Sequence, residues 1–117
     1  MTDRELLEKA AKAAGIEAHY PFGKGEIYVR HTGLWASRDT SDEYGALVAW
    51  NPLADDAQAL RLAVRLRLDF CIAPDDATVC VWCAPISDFM EEQMKPDEMA
   101  ATRRAIVRAA AALEDRP

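Results

Sequence analysis

The sequence predicts an α+β domain in which three helices enclose a mainly antiparallel sheet as a three-layer α-β-α sandwich. Apolar residues recur at helical spacing in three separate stretches, and apolar or alternating runs of strand length lie between them. Short turn sequences join the strand-like runs, which favours hairpins over parallel crossovers. The predicted order is α-β-β-β-α-β-β-α, and a length of 117 residues suits a single domain covering residues 1–117.

The first helix is predicted from about Asp3 to Ala14. Thr2 precedes it and Glu5 follows three residues later, which is the spacing of a capping box. Leucine and alanine residues then form an apolar stripe at helical spacing. Gly15 stands where a left-handed residue commonly ends a helix.

Three strands are predicted to follow the first helix. Residues 16–22 and 26–31 flank a "GKG" turn and are predicted to pair as a hairpin, the second run alternating clearly. A polar loop over residues 38–43 leads to a third, more buried strand at residues 44–50.

The next segment joins this third strand to the second helix. Trp50 is interpreted as a packing residue at the strand end. Two helix starts are compatible with the letters that follow. Asn51 could cap a helix with Pro52 at its first position. Alternatively Pro52 lies in a turn and Asp55 is the cap, with Gln58 three residues later in a variant capping box. We favour the second start, because it also places acidic groups near the positive end of the helix dipole.

The second helix is predicted to end near Arg67 and to bury one apolar face. Its members are four residues at helical spacing, and two more are expected to widen the same buried face: Ala59, Leu62, Ala63 and Leu66, with Leu60 and Val64.

Two strands and a helix complete the predicted order. The strands cover residues 68–73 and 78–84 and are joined by a "PDDA" turn. The stretch 85–95 has no clear periodicity, and its conformation is not predicted. The last helix is the strongest in the chain, with Pro96 in its first turn and alanines through its interior.

Composition and charge exclude several classes of function. The formal net charge is −6, which argues against broad electrostatic binding to nucleic acid. No apolar run has the length of a membrane span, and the charged amphipathic N-terminus differs from a signal peptide. We therefore expect a cytoplasmic protein. No sequence motif indicates a cofactor.

The cysteines and histidines carry weak signals. Cys71, Cys80 and Cys83 are expected to be buried thiols, because an odd number of cysteines does not suit a disulfide framework. Cys80 and Cys83 have the C-x-x-C spacing, but in a strand that spacing places them on opposite faces, which disfavours redox or zinc chemistry. His19 and His31 lie in the predicted hairpin, where an acid–base pair is one hypothesis and ordinary cross-strand contacts the other.

Four arginines are the most informative candidates for a site. Arg61 and Arg65 are four residues apart on the second helix, and Arg104 and Arg108 are four apart on the third, so each pair lies on one helical face. Neither pair has an acid three or four residues earlier to neutralise it. Two interpretations remain open: ion pairs with acids elsewhere in the chain, or an anionic ligand held by the guanidinium groups.

Three segments resemble a known family. They are "ELLEKAAKAAG", "WNPLADDAQALRLAVRL" and "MAATRRAIVRAAAAL", and they are similar to the phage ABA sandwich domain, a small domain of bacteriophages and prophages. The resemblance implies an α-β-α sandwich and a location in the cytoplasm of a bacterial host. It implies no activity and no catalytic residues.

Three functional hypotheses follow. The leading one is a small phage or prophage accessory protein that binds a host or phage protein, as a single chain or as a homo-oligomer, with no catalytic activity expected. The alternative is a protein that sequesters a nucleotide-like anion through Arg61, Arg65, Arg104 and Arg108. A third is an enzyme that uses His19 or His31. A deep arginine-lined pocket would favour the anion, whereas a broad apolar surface would favour a protein partner.

Overall fold

Helices at both ends and in the middle of the chain alternate with antiparallel strands, which confirms the α+β fold class. The computed structural model describes residues 2–23, 25–30, 47–73, 77–83 and 89–115. Its elements, in chain order, are α1 (Asp3–Ala13), β1 (Tyr28–Arg30), β2 (Leu47–Ala49), α2 (Asp56–Leu66), β3 (Leu68–Ala73), β4 (Thr78–Cys83), β5 (Phe89–Gln93) and α3 (Glu98–Glu114).

Each helix begins at a polar side chain that accepts a hydrogen bond from the backbone three residues later. The caps are Thr2 for α1, Asp55 for α2 and Asp97 for α3. Thr2 as the cap of α1 and the choice of Asp55 over Asn51 as the cap of α2 agree with prediction. Of the predicted capping box at Thr2, the structure shows the bond from the N–H of Glu5 to the Thr2 hydroxyl. Pro96 was expected in the first turn of α3, but it precedes the cap. The cap is Asp97, because its side chain accepts a hydrogen bond from the N–H of Ala100.

The first predicted hairpin is confirmed only as a single antiparallel bridge, and the ladder expected along it is not formed. Residues 16–22 contribute an isolated bridge between His19 and Tyr28 and no strand. Pro21 lacks an N–H for a ladder, and Gly23 follows with φ of 89°, so the chain turns away there. The ladder of β1 is with β2, to which it pairs antiparallel, and the beginning of the predicted strand 44–50 lies outside the described residues.

The second sheet is an antiparallel meander in the order β3-β4-β5. The hairpin of β3 and β4 agrees with the prediction for residues 68–73 and 78–84. β5 lies in the stretch 85–95, for which no conformation was predicted, because "FMEEQ" shows neither alternation nor a helical stripe. The chain therefore has two described strands before α2 and three after it, where three and two were predicted.

α3 is the central element of the core. It packs against both other helices and against β4 and β5. Small side chains allow this close packing, because most of its buried positions are alanine. The least exposed large side chains of the core are Trp50, Ile27, Leu62, Val29, Val79, Val81 and Val107.

A search of the described helices finds none that is both long and apolar enough to cross a bilayer.

Candidate functional site

The arginine pair on α3 is held by acids from two other elements. The Nη1 atom of Arg104 lies 3.0 Å from the Oδ1 atom of Asp3 in α1. The Nη1 atom of Arg108 contacts the Glu92 carboxylate of β5 and donates to the carbonyl oxygen of Glu91 at 3.1 Å. These contacts are the intramolecular ion pairs that one interpretation of the sequence required.

A cavity of about 390 Å³ lies beside this pair. Arg104 and Arg108 line it together with Glu92, Asp115 and the apolar side chains of α1, α3 and β5. Asp115 is in turn bound by Lys9, whose Nζ atom lies 2.8 Å from Oδ1. Positive and negative groups therefore both line the cavity, and an anion would have to compete with carboxylates already bound to the arginines.

The arginine pair on α2 lies elsewhere. The Nε atom of Arg65 donates to the carbonyl oxygen of Ala14 at 2.7 Å, which satisfies a terminal carbonyl of α1. Arg61 is half-buried and has an interaction partner of its own. Arg65 and Arg104 thus contact opposite ends of α1, which are separated by about 16 Å along the helix axis. The four predicted arginines do not converge on one pocket.

The Trp50 segment is a structural joint, as predicted. Trp50 is 1% exposed, and its backbone N–H donates to the carbonyl oxygen of Ile27 at 2.8 Å. The Asn51 side chain accepts from the N–H of Leu53 at 3.1 Å and so shapes the turn that contains Pro52.

The Gln58 side chain closes the joint from the helix side. Its Oε1 atom accepts from the N–H of Asn51 at 2.6 Å, and its Nε2 atom donates to the carbonyl oxygen of Ala49 at 2.8 Å. The Gln58 side chain therefore bonds to the backbone of Asn51 and Ala49 and not to the N–H of Asp55. Of the predicted variant capping box, only the bond from the N–H of Gln58 to the Asp55 side chain is formed.

Arg103 is a structural residue that sequence reasoning missed. Its Nε atom donates to the carbonyl oxygen of Leu53 at 2.7 Å, and its Nη1 atom lies 2.6 Å from the Oδ1 atom of Asp56. The side chain is only 16% exposed. The available signal was its position four residues before Val107, which places a charge beside the apolar stripe of α3 and indicates a partner within the fold.

Of the two histidines in the acid–base hypothesis, only His19 lies among the described residues. His19 is half-buried, and its Nε2 atom lies 3.8 Å from the Oε2 atom of Glu17. His31 lies outside the described residues, so the acid–base pair stays a prediction. The described part of the chain contains no group of three or more His, Cys, Asp and Glu side chains placed to hold a metal ion.

The expectation of buried thiols is wrong for Cys71, which is exposed, and only partly met by Cys80, which is half-buried. β4 alternates, and its Val79 and Val81 face the core that α3 covers, so Cys80 belongs to the opposite sheet face. The side chain of Cys83 lies outside the described part.

Four exposed apolar side chains define a region that we term the α2–β3 surface: Leu60 (56% exposed), Val64 (60%), Phe70 (45%) and Ile72 (50%). Leu60 and Val64 were predicted to widen the buried face of α2, and that prediction is wrong. Both lie on the flank of the helix, about 100° or more from Ala59 around the axis, beyond the reach of the core.

The strand half of this surface is continuous with the core. Phe70 pairs with Val81 and Ile72 pairs with Val79 in the ladder between β3 and β4. Directly opposed residues of antiparallel strands share a sheet face, so Phe70 and Ile72 extend the face that is fully buried at β4. The described helices cover that face at its centre but leave it partly open at β3.

No protein-family model matches this chain, and no curated protein or solved structure does either. The resemblance to the phage ABA sandwich domain therefore stays a prediction. The geometry itself defines the class of molecule, an α+β domain with internally paired arginines and with exposed apolar side chains on the consecutive elements α2 and β3.

Proposed function

We propose that the chain is a small phage- or prophage-encoded accessory protein of the bacterial cytoplasm that acts by binding a protein partner through the α2–β3 surface. The observation that carries the proposal is the exposure of Leu60, Val64, Phe70 and Ile72 on two consecutive elements. Large apolar side chains left exposed on neighbouring elements favour contact with another protein.

The energetics support a contact of moderate strength. Complete burial of a leucine or phenylalanine side chain stabilises a complex by about 1.5–3 kcal/mol relative to full exposure. Each of the four side chains is about half exposed. A partner that covered all of them would gain several kcal/mol before the costs of association are subtracted.

The edge of β3 that no described strand occupies offers a second means of recognition. β3 is an end strand of its sheet, and only β4 pairs with it among the described strands. The unpaired N–H and C=O groups of such an edge can accept a further strand, in the mode by which peptides extend an exposed sheet. A partner with an extended apolar segment fits both features.

The test compares two phenylalanines. Phe70→Ser alters the α2–β3 surface, whereas Phe22→Ser alters a side chain that is 80% exposed elsewhere in the fold. Partners captured from bacterial lysate by tagged wild-type protein are purified, and their dissociation constants are measured by calorimetry. We expect Phe70→Ser to weaken binding at least ~10-fold and Phe22→Ser to leave it unchanged. Equal affinity of both variants, with both folded, would refute the proposal.

Sedimentation of the purified protein separates a foreign partner from self-association. A concentration-dependent dimer that Phe70→Ser abolishes identifies a second copy as the partner. A monomer at all concentrations assigns the surface to another protein.

The alternative is an anion binder, and the cavity beside Arg104 and Arg108 favours it. A bound anion would replace the carboxylates of Asp3 and Glu92 as partners of the arginines. Sulfate, phosphate and nucleotides are added in a thermal-shift assay, in which a ligand at 100 times its Kd stabilises by about 2.7 kcal/mol. Glu92→Gln removes a competing charge and should enlarge any shift. Absence of a shift in both proteins rules the alternative out.

A further inference from the structure

Two cysteines face each other on neighbouring strands. Cys71 of β3 is the direct register partner of Cys80 of β4. Directly opposed side chains in an antiparallel pair lie on the same face of the sheet. The next residue in the same row is Glu91 of β5, which pairs with Cys80.

The hydrogen-bond pattern sets the spacing of this pair. The N–H of Met94 donates to the carbonyl oxygen of its register partner Ala77 at 2.8 Å, so the odd-numbered residues of β4 bond to β5. The even-numbered residues then bond to β3, which makes Cys71 and Cys80 a hydrogen-bonded pair with Cα atoms about 5.5 Å apart. Disulfides span Cα separations of about 4.4–6.8 Å.

The two thiols differ in accessibility. Cys71 is exposed, and Cys80 is half-buried. The Sγ atom of Cys80 lies 3.7 Å from the Oε2 atom of Glu91, whose carboxylate accepts from the S–H group. An oxidant in solution therefore meets Cys71 first.

We propose that Cys71 and Cys80 form a dithiol site for exchange with low-molecular-weight disulfides. The Cys71 thiolate attacks the disulfide of the small molecule, forms a mixed disulfide and releases one small thiolate. The Cys80 thiolate then attacks the Cys71 sulfur, closes the cross-strand bond and releases the second thiolate. The two cysteines lose two protons and two electrons, and the small disulfide is reduced to two thiols.

The resulting bond is easily reversed. Cβ atoms of directly opposed residues lie about 4.5–5.5 Å apart, whereas a disulfide needs about 3.5–4.5 Å. Closing the bond draws the strands together, and strained or exposed disulfides are the ones most readily reduced. The site is therefore suited to reversible oxidation. Thiol exchange at this site does not require the proposed protein partner.

Cys83 distinguishes disulfide formation in the folded protein from disulfide formation in the unfolded chain. Cys80 and Cys83 are three positions apart in β4, a distance of about 10 Å along an extended strand, which no disulfide spans. In the unfolded chain the same two cysteines are the closest in sequence, so loop-closure entropy favours their pairing. The native and unfolded chains should thus form different bonds.

The test treats the full-length protein with oxidised glutathione, with and without denaturing urea. Cleavage before Asp75 and Asp76 separates Cys71 from the other two cysteines in sequence, so mass spectrometry distinguishes the bonds. We expect a Cys71–Cys80 bond in the native protein, a mass loss of about 2 Da and a melting temperature raised by several degrees. Urea should shift the product to a Cys80–Cys83 bond.

Single variants define the order of the steps. Cys83→Ser should form the cross-strand bond as wild type does and serves as the control. Cys80→Ser should stop at the glutathione adduct on Cys71, and Cys71→Ser should give no native intramolecular bond. Formation of the same bonds with and without urea, or only intermolecular bonds in native Cys83→Ser, would overturn the proposal.

Discussion

The two sides of the molecule satisfy their exposed side chains in different ways. Where α1 meets α3, polar side chains pair across the elements, as Arg104 does with Asp3 and Lys9 with Asp115. On the α2–β3 surface the side chains are apolar and about half exposed. A charged group can be satisfied by one oppositely charged partner within the chain, whereas an apolar side chain is stabilised only when its surface area is removed from water. The first side satisfies its charges within the chain, whereas the second leaves apolar area in contact with water.

The largest expected effect comes from two leucines of α2 that differ only in burial. Leu62 is fully buried and Leu60 is 56% exposed. Leu62→Ala should lower the free energy of unfolding by about 3 kcal/mol through lost transfer energy and a cavity. Leu60→Ala should lower it by less than ~1 kcal/mol. Urea denaturation of both variants checks this, and equal losses would mean that Leu60 belongs to the core.

The next effect compares two adjacent arginines of α3. Arg103→Ala removes a shielded guanidinium that bonds to the Leu53 carbonyl and to Asp56, and should cost about 2 kcal/mol. Arg104→Ala removes an ion pair in which the arginine side chain is 41% and the Asp3 side chain 64% exposed, and should cost less than ~1 kcal/mol. The readout is again urea denaturation. Arg103→Lys is the control for charge alone, and its full rescue would contradict the role of the guanidinium geometry.

The smallest effect concerns Tyr20, whose hydroxyl donates to the Oε2 atom of Glu8 at 2.5 Å. Partial burial, and then the bond to Glu8 and its charge, raise the pKa of Tyr20. A raised pKa in the folded state adds stability that is complete below the ordinary value of 10.0 and is lost as the pH rises through the folded pKa. Tyr20→Phe should cost about 1 kcal/mol at neutral pH.

The same variant tests the pH dependence. Above pH 10 the wild type should lose stability faster than Tyr20→Phe, so the two curves converge. Tyr28, whose pKa is raised mainly by its hydrogen bond to Glu26, is present in both proteins and cancels in the difference. Parallel curves through that range would show that the bond to Glu8 contributes nothing.

Local signals in the sequence were sufficient for the helices and the joint. Thr2 and Asp55 are caps because their side-chain oxygens lie three residues before the N–H groups they satisfy, which is a property of the sequence itself. Strand pairing was harder, because it depends on which distant segment lies alongside. Residues 16–22 therefore failed to become a strand, and β5 gave no signal of its own.

The candidate site was less accessible to sequence reasoning. Spacing alone placed Arg104 and Arg108 on one face of α3, but it did not show that Asp3 and Glu92, distant in sequence, would bind them. Leu62 and Leu60 are likewise the same residue type, so the sequence alone does not distinguish the buried leucine from the exposed one. What separates them is how far the core extends around α2, which only the packing of the whole chain decides.

A single residue connects α2 to β3. Arg67 adopts the left-handed conformation, with φ of 54° and ψ of 47°, and its N–H bonds to carbonyl oxygens of the last helical turn. The strand begins at the next residue, so no flexible linker separates Leu60 and Val64 from Phe70 and Ile72. The backbone therefore fixes the position of the helical half of the α2–β3 surface relative to its strand half, so the proposed partner would bind with little loss of conformational entropy.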